Sequence, residues 1–299
     1  MADHSFWRGK RILVTGHTGF KGCWLTLWLI KMGARVTGVS QQPNTCPSLF
    51  EQLNLQRYLC KSHIADVRNA HLLSEITYSS QPEIVFHLAA QPLVRQSYHD
   101  PLTTWSTNVQ GCLNLLEALK PLKHECAVVM ITTDKVYANR EWVHGYRETY
   151  RLGGHDPYSA SKAAAELAIA SWRDSFCGYG AHQTPYLRIA TARAGNVIGG
   201  GDWSPDRILP DAMRALEAGK CIAVRNPRAT RPWQHVLDPL SGYLLLAEQL
   251  MIQPSPPCEA FNFGPTLTSN QPVSKLVEQI LHHWPGTWID TSDAGSPHE

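Results

Sequence analysis

The sequence predicts an α/β fold, a doubly wound parallel sheet joined to a smaller C-terminal lobe. Three observations carry this. Short apolar runs alternate with helix-period stretches over the first 180 residues, the pattern of successive βαβ units. A glycine-rich turn stands between the first apolar run and the first helical stretch. Beyond about residue 180 glycine and proline punctuate the text, in GNVIGGGDW, RNPRATRPW and QPSPPC, and the alternation fades.

The strand candidates are RILVT (11–15), ARVTGV (34–39), KSHIAD (61–66), EIVFHLA (83–89), AVVMITT (127–133) and PYLRIATA (185–192). Helices are expected at 22–32, 67–79, 101–120 and 158–176, with Gly33 closing the first as a C′ glycine. The last of these begins just after Asp156-Pro157 and is built from strong helix formers, YSASKAAAELAIASW. After residue 180 only two helices are expected, near 208–219 and 272–284. The chain therefore divides into a sheet domain, 1–180, and a lobe, 181–299, partly interleaved with it. The lobe is placed over the carboxyl edge of the sheet, where ligands of open α/β sheets bind.

Composition narrows the class. The 299 residues are 43% apolar and 17% charged, enough to bury a sizeable core and unlike a disordered chain. A formal charge of +2 with scattered basic residues gives no support for a nucleic-acid footprint. Cysteines 23, 46, 60, 112, 126, 177, 221 and 258 lie far apart, without C-x-x-C, and read as reduced thiols of a cytoplasmic protein. The start, MADHSFWRGK, lacks the apolar region of a signal peptide, and CWLTLWLI is far too short to span a membrane.

TGHTGFKG places Gly16, Gly19 and Gly22 where the first strand passes into the first helix. Glycine there permits a tight turn and lets backbone N–H groups and the helix N-terminus approach a pyrophosphate. This position makes the sheet a Rossmann-type dinucleotide fold. The acid that usually ends the second strand and accepts from the ribose hydroxyls is missing; GVSQQ offers Ser40 or Gln41 instead. No arginine follows that strand to meet a 2′-phosphate, so NAD is expected over NADP. Asp66 suits the adenine edge and equally suits the N-cap of helix 67–79.

Tyr158-Ser-Ala-Ser-Lys162 puts a phenol and an amine on one helix face. A tyrosine serves as a base near neutrality only if its pKa of about 10 falls by roughly 3 units, about 4 kcal/mol. A neighbouring ammonium and a positive nicotinamide ring can supply that.

With the glycine loop and this Tyr–Lys pair, the chain resembles the extended short-chain dehydrogenase/reductase family over nearly its whole length. The resemblance implies a redox Thr at position 133 in ITTDKVY and a helix-bending Asn108 in TNVQG. It implies cofactor contacts at Gly16, Gly19, Phe20 and Gly22, at Asp66 and Val67, at Leu88, Ala89 and Ala90, and at Tyr158 and Lys162. Asp134-Lys135 after the threonine is similar to the acid–base pair of the nucleotide-sugar 4,6-dehydratase branch, where 4-epimerases carry small residues. HLAAQPLVRQSY, RAGNVIGGGDW and RNPRATRPWQHVLDPLSGYL also resemble that branch. The resemblance implies CDP-glucose as small-molecule substrate, held by Asn196, Arg207 and Arg231, and a homodimer built on helices 101–120 and 158–176.

Asp134 is then the acid and Lys135 the base, an amine whose pKa of about 10.4 must fall by some 3 units. Lys135 as a cation paired with Asp134, with another group as base, is the alternative. Arg207 and Arg231 as surface ion pairs, and Trp203 and Trp233 as base-stacking platforms or as core, also stay open. So do two other functions, an epimerase or keto-sugar reductase and a non-catalytic dinucleotide sensor. The chain stops at SDAGSPHE, where members of the family continue noticeably further, and a less stable region beyond residue 240 is expected.

Overall fold

A computed structural model describes residues 4–142, 144–178, 183–184, 186–253 and 259–293. Cys258 and the end of SDAGSPHE lie outside the described residues. Seven parallel strands form the central sheet: β1 (Arg11–Thr15), β2 (Arg35–Ser40), β3 (Lys61–Ile64), β4 (Ile84–His87), β5 (Cys126–Ile131), β6 (Leu187–Ala194) and β7 (Ala260–Phe263). Their spatial order is β7-β6-β5-β4-β1-β2-β3. The order reverses between β1 and β4, which pair through Ile12–Ile84 to Thr15–His87. A parallel pair needs a crossover over a sheet face, so both faces are covered and the strands are apolar almost throughout.

Alternate residues of each strand enter different cores. Ile12, Val14, Ile84, Phe86, Ala127 and Val129 face one cluster, with helices α1 (Phe20–Lys31) and α6 (Leu237–Ile252) over them. Leu13, Val85, Val128 and Met130 face the other, under α2 (Ala70–Ser80), α3 (Gly111–Leu119) and α4 (Pro157–Phe176). A third, small core of Ala212, Leu216, Ile222, Val224 and Val277 holds the lobe, between α5 (Ile208–Glu217) and α7 (Val273–His283).

β6, β7 and α6, all beyond residue 180, belong to the main sheet and its core. One expectation about the elements is corrected: α6 is a helix where none was expected. Its text, LDPLSGYLLLAEQLMI, is mostly apolar, and its exposed stripe carries Leu245 and Ile252 beside Asp238 and Gln249, so the amphipathic period is weak. Pro239 is tolerated in the first turn, and Gly242 is needed because a Cβ there would meet the Phe263 ring at 2.3 Å. Along 101–120, Pro101–Trp105 and α3 are joined by a π-turn at Ser106–Gln110, centred on Asn108, the residue expected to bend the helix. The Asn108 side chain bonds Gln91 N and O and Ser161 Oγ (2.9, 3.1 and 2.9 Å), tying this bend to β4's outlet and to α4.

Beyond residue 240, Leu240, Tyr243, Leu244, Ala247 and Leu250 are fully buried. Trp7 Nε1 also donates to Glu248 Oε1 at 2.6 Å in the interior. Hydrogen exchange should be as slow at 240–250 as in β1 and β4, and faster in α5 and α7 over the small core; equal protection in α5 and α6 would refute this. Leu244→Ala should cost about 2–5 kcal/mol in chemical denaturation.

Two buried histidines set an acid limit. Burial pushes His17 down to about 4 and His87 to about 3. The unfolded chain binds these protons from about pH 6.5 downward while the folded chain resists, so stability is present above that pH and is lost as pH falls from there toward 4. The loss should reach about 1.4 kcal/mol per pH unit for each histidine. Denaturation midpoints between pH 7 and 5 check it, and His87→Gln should flatten the slope.

Candidate active site

The cleft lies at the carboxyl edge of the sheet, at the β1/β4 reversal, and has a volume of about 490 Å³, ample for a bound nucleotide. The residues expected to bind or react line it: the glycine loop, Asp66, Val67, Leu88–Ala90, Thr133–Lys135, Tyr158, Lys162, Asn196, Arg207 and Arg231.

The loop is a cradle that only glycine can form. Gly16 has φ +77°, and a Cβ there would lie 2.8 Å from Ala89 N. A Cβ on Gly22 would lie 2.0 Å from Gly16 O. Gly19 N-caps α1 with no side chain over the helix terminus, leaving its first N–H groups directed at the cleft. This empty-sided terminus fits a dinucleotide pyrophosphate.

At the end of β2 the missing acid is replaced by neutral groups. Ser40 Oγ and Thr18 Oγ1 are 2.7 Å apart, and Gln41 Nε2 donates to Asp66 Oδ2 at 2.8 Å. Asp66 is not the N-cap of α2; Asn69 is, accepting from Leu72 N. Asp66 instead grips Arg68 through both carboxylate oxygens, and those hydrogen bonds hold its pKa below the usual carboxylate range.

Thr133, Asp134 and Lys135 follow β5, where Thr133 caps a 3-10 turn and accepts from Lys135 N at 3.3 Å. The Asp134 carboxylate lies 2.7 Å from where a Cβ on Gly195 would stand, so RAGN makes room for it. The Tyr158 hydroxyl hydrogen-bonds Thr133, and Lys162 Nζ donates to Ile131 O at 3.2 Å. Burial pushes Tyr158 up to about 12, with Thr133 and Arg207 opposing, and pushes Lys162 down. The protein by itself therefore does not produce the lowered phenol pKa expected from the Tyr–Lys spacing. Burial outweighs the nearby cations.

The cations of the lobe are partly committed. Arg207 Nη1 pairs with the buried Asp202 carboxylate at 2.9 Å while still lining the cleft, so ion pair and cleft position coexist. Arg231 Nη1 donates to Thr230 O. Trp233 lines the cleft with its indole N–H on Gln271 O, whereas Trp203 is not among the lining residues. Sequence reasoning missed Arg95 and Arg225, which meet at Asp206 (3.8 and 2.5 Å) on the cleft wall. It also missed Lys21, brought down to about 8 by burial and by Arg207, against the pull of Asp134. Its signal was a lysine in the first turn of a helix, where the dipole opposes a cation.

Among the described residues no group of His, Cys, Asp and Glu is placed to hold a metal, no helix is long and apolar enough to cross a membrane, and the cysteines are unpaired.

A model of the NAD dependent epimerase/dehydratase family matches residues 12–264. The CDP-glucose 4,6-dehydratase of Salmonella typhimurium is 48% identical, over the whole of this chain and 83% of its own length. The dTDP-D-glucose 4,6-dehydratase of Dictyostelium discoideum is 27% identical over 91% of this chain and 62% of its own. The crystal structure of dTDP-glucose 4,6-dehydratase from Bacillus anthracis in complex with NAD superposes with a TM-score of 0.76 at 20% identity, covering 95% of this chain and 86% of that one.

Gly22→Ala should lower NAD affinity at least about ten-fold without loss of far-UV helicity, because the new methyl displaces Gly16 O from the cradle. Isothermal titration checks this, and unchanged affinity would show that the loop does not hold the dinucleotide.

Proposed function

The chain belongs to the NAD dependent epimerase/dehydratase family, and from that premise we propose that it converts CDP-glucose to CDP-4-dehydro-6-deoxy-glucose and water. The observation that carries this reading is Asp134-Lys135 directly after the redox threonine, in the same cleft as Tyr158 and Lys162. An epimerase or a ketone reductase has no need of an acid and a base at that place, and a dinucleotide sensor has no need of the Tyr–Lys pair. The substrate named for the Salmonella relative supports the cytidine nucleotide.

The difficulty of the reaction is the C5 proton of a hexose, which is not acidic until C4 is a ketone. NAD, which the Gly16–Gly22 loop, Tyr158 and Lys162 would hold, would supply the redox chemistry, a hydride acceptor for C4 and a hydride donor for C6. Tyr158 takes the O4 proton while the Thr133 hydroxyl holds O4. Lys162 stabilises the phenolate by its charge, and burial makes that interaction stronger than in water. Lys135 removes H5 from the ketone, and Asp134 protonates O6 as water leaves. Asn196, Arg207 and Arg231 hold the nucleotide diphosphate, for which arginine geometry is suited. Ser40, Gln41 and Asp66 hold the adenosine end, and the absence of a charged acid at the ribose fits NAD with modest affinity.

The active form is a cytoplasmic homodimer in this reading. Leu102 and Leu167, 81% and 62% exposed on neighbouring helices, are apolar side chains that a second copy would cover.

Tyr158→Phe should abolish C4 oxidation while leaving NAD and CDP-glucose binding nearly intact; comparable turnover would remove the tyrosine from the mechanism. Lys135→Met separates the two halves. It should accumulate reduced nicotinamide on mixing with CDP-glucose, with little 4-keto product and reduced deuterium exchange at C5. Normal C5 exchange without product would instead locate the damage at Asp134, and normal product formation would exclude the lysine. The same assay, CDP-glucose with NAD and a chromophoric test for the 4-keto sugar, tests the function of the unmodified chain.

A further inference from the structure

A second ionic group lies beneath the redox pair and takes no part in the chemistry above. Glu166 stands one turn beyond Lys162 and two beyond Tyr158 on α4, so the three share a helix face. Glu166 and Arg193 are 3% and 5% exposed and are joined through Arg193 Nη2 and Glu166 Oε2 at 2.7 Å. The carboxylate also accepts from Thr191 Oγ1 at 2.8 Å and, through a short bond, from Thr132 Oγ1. Arg193 Nη1 donates to the Tyr137 hydroxyl at 2.9 Å and to Glu148 O at 3.0 Å. Tyr137 in turn donates to Asn262 Oδ1 on β7 at 2.7 Å.

Burying two charges carries a desolvation penalty, and an apolar pair of similar volume often gives equal or greater stability. The partners of this pair suggest what it does instead. Thr132 is the residue before Thr133-Asp134-Lys135. Arg193 stands two residues before Gly195, whose missing Cβ accommodates the Asp134 carboxylate, and three before Asn196. Tyr137 stands two residues after Lys135. Glu166 is carried by the helix of Tyr158 and Lys162. The pair thus joins the acid–base segment, the substrate-binding turn after β6 and the redox helix, through side-chain bonds that do not depend on the sheet ladder.

We propose that the buried Glu166–Arg193 pair is a positioning device that fixes residues 133–135 relative to Tyr158 and Lys162, so that oxidation at C4 and elimination across C5–C6 act on one bound sugar. The inference rests on the dehydratase reading. Two half-reactions on adjacent carbons, without release between them, require both sets of groups to be in place together. A displacement of about 1 Å can reduce such a step by about a hundred-fold. The oxidation groups Tyr158 and Lys162 sit on a long helix held by its own packing, so loosening the tie should harm elimination more than oxidation.

Thr132→Val tests this directly, because it cuts the tie from Glu166 to the acid–base segment and leaves the ion pair itself. The full chain with NAD and CDP-glucose is followed by nicotinamide absorbance, by deuterium exchange at C5 and by 4-keto product. NAD titration and far-UV circular dichroism monitor the fold. The expected result is native helicity and unchanged NAD affinity, reduction of nicotinamide within about two-fold of the unmodified chain, and about a ten-fold fall in both C5 exchange and product. Thr132→Ser, which restores the hydroxyl, should recover both. A folded Thr132→Val protein with C5 exchange and product unchanged, or with oxidation and elimination reduced equally, would overturn the proposal. The paired replacement Glu166→Leu with Arg193→Met, which removes the charges together, should show the same selective loss, so the proposal does not depend on one variant folding. Failure of the unmodified chain to form any 4-keto product would overturn the dehydratase reading itself, and this role with it.

Discussion

All seven strands of the sheet run in the same direction, and most of the molecule follows from that constraint. A chain that leaves the carboxyl end of one parallel strand must return across a face before it can start the next. Helices therefore cover both faces, and every β-to-α turn opens on the same edge. Gly16–Gly22 after β1, Asp66 after β3, Leu88–Ala90 after β4, Thr133–Lys135 after β5 and Asn196 after β6 are gathered there from 180 residues of sequence. The lobe is built from the stretch after β6 and the stretch after β7, which meet in one small core, so it is anchored in the sheet through both strands.

The same edge is where charge and burial conflict. Tyr158 is pushed up and Lys162 and Lys21 are pushed down, in each case because the charged form loses water. Asp134 and Glu166 pull in the other direction on Lys21 and Lys162 respectively. The site therefore holds its cations less firmly ionised than an exposed lysine would be. Each one is sensitive to the charges brought in beside it, as a reaction that moves protons in both directions requires.

The sheet's first six strands, the glycine loop and the Tyr–Lys helix were legible because each is a local pattern. Alternating apolar runs, glycine at a strand–helix junction and a spacing of four residues all report on neighbours close in sequence. The helix Leu237–Ile252 was not legible for the opposite reason. Its exposed stripe is half apolar, with Leu245 and Ile252 beside Asp238 and Gln249, so its text carries only a weak period, and its proline and glycine read as breakers although one sits in the first turn and the other under Phe263. The π-turn at Asn108 was expected only as a bend, and its purpose appears only when Gln91 and Ser161 are seen beside it.

The sequence by itself determined the fold class and the dinucleotide cradle, and it singled out the side chains proposed to react, because those depend on residue type and short spacing. Tertiary structure alone decided which charges meet. Arg207 with Asp202, Arg95 and Arg225 with Asp206, and Glu166 with Arg193 join residues that are far apart or unremarkable in the text. It also decided the sign of the Tyr158 shift. A four-residue spacing says that a lysine is near, but only the packed interior says how much water the phenol has lost, and in the protein alone that loss is the larger effect.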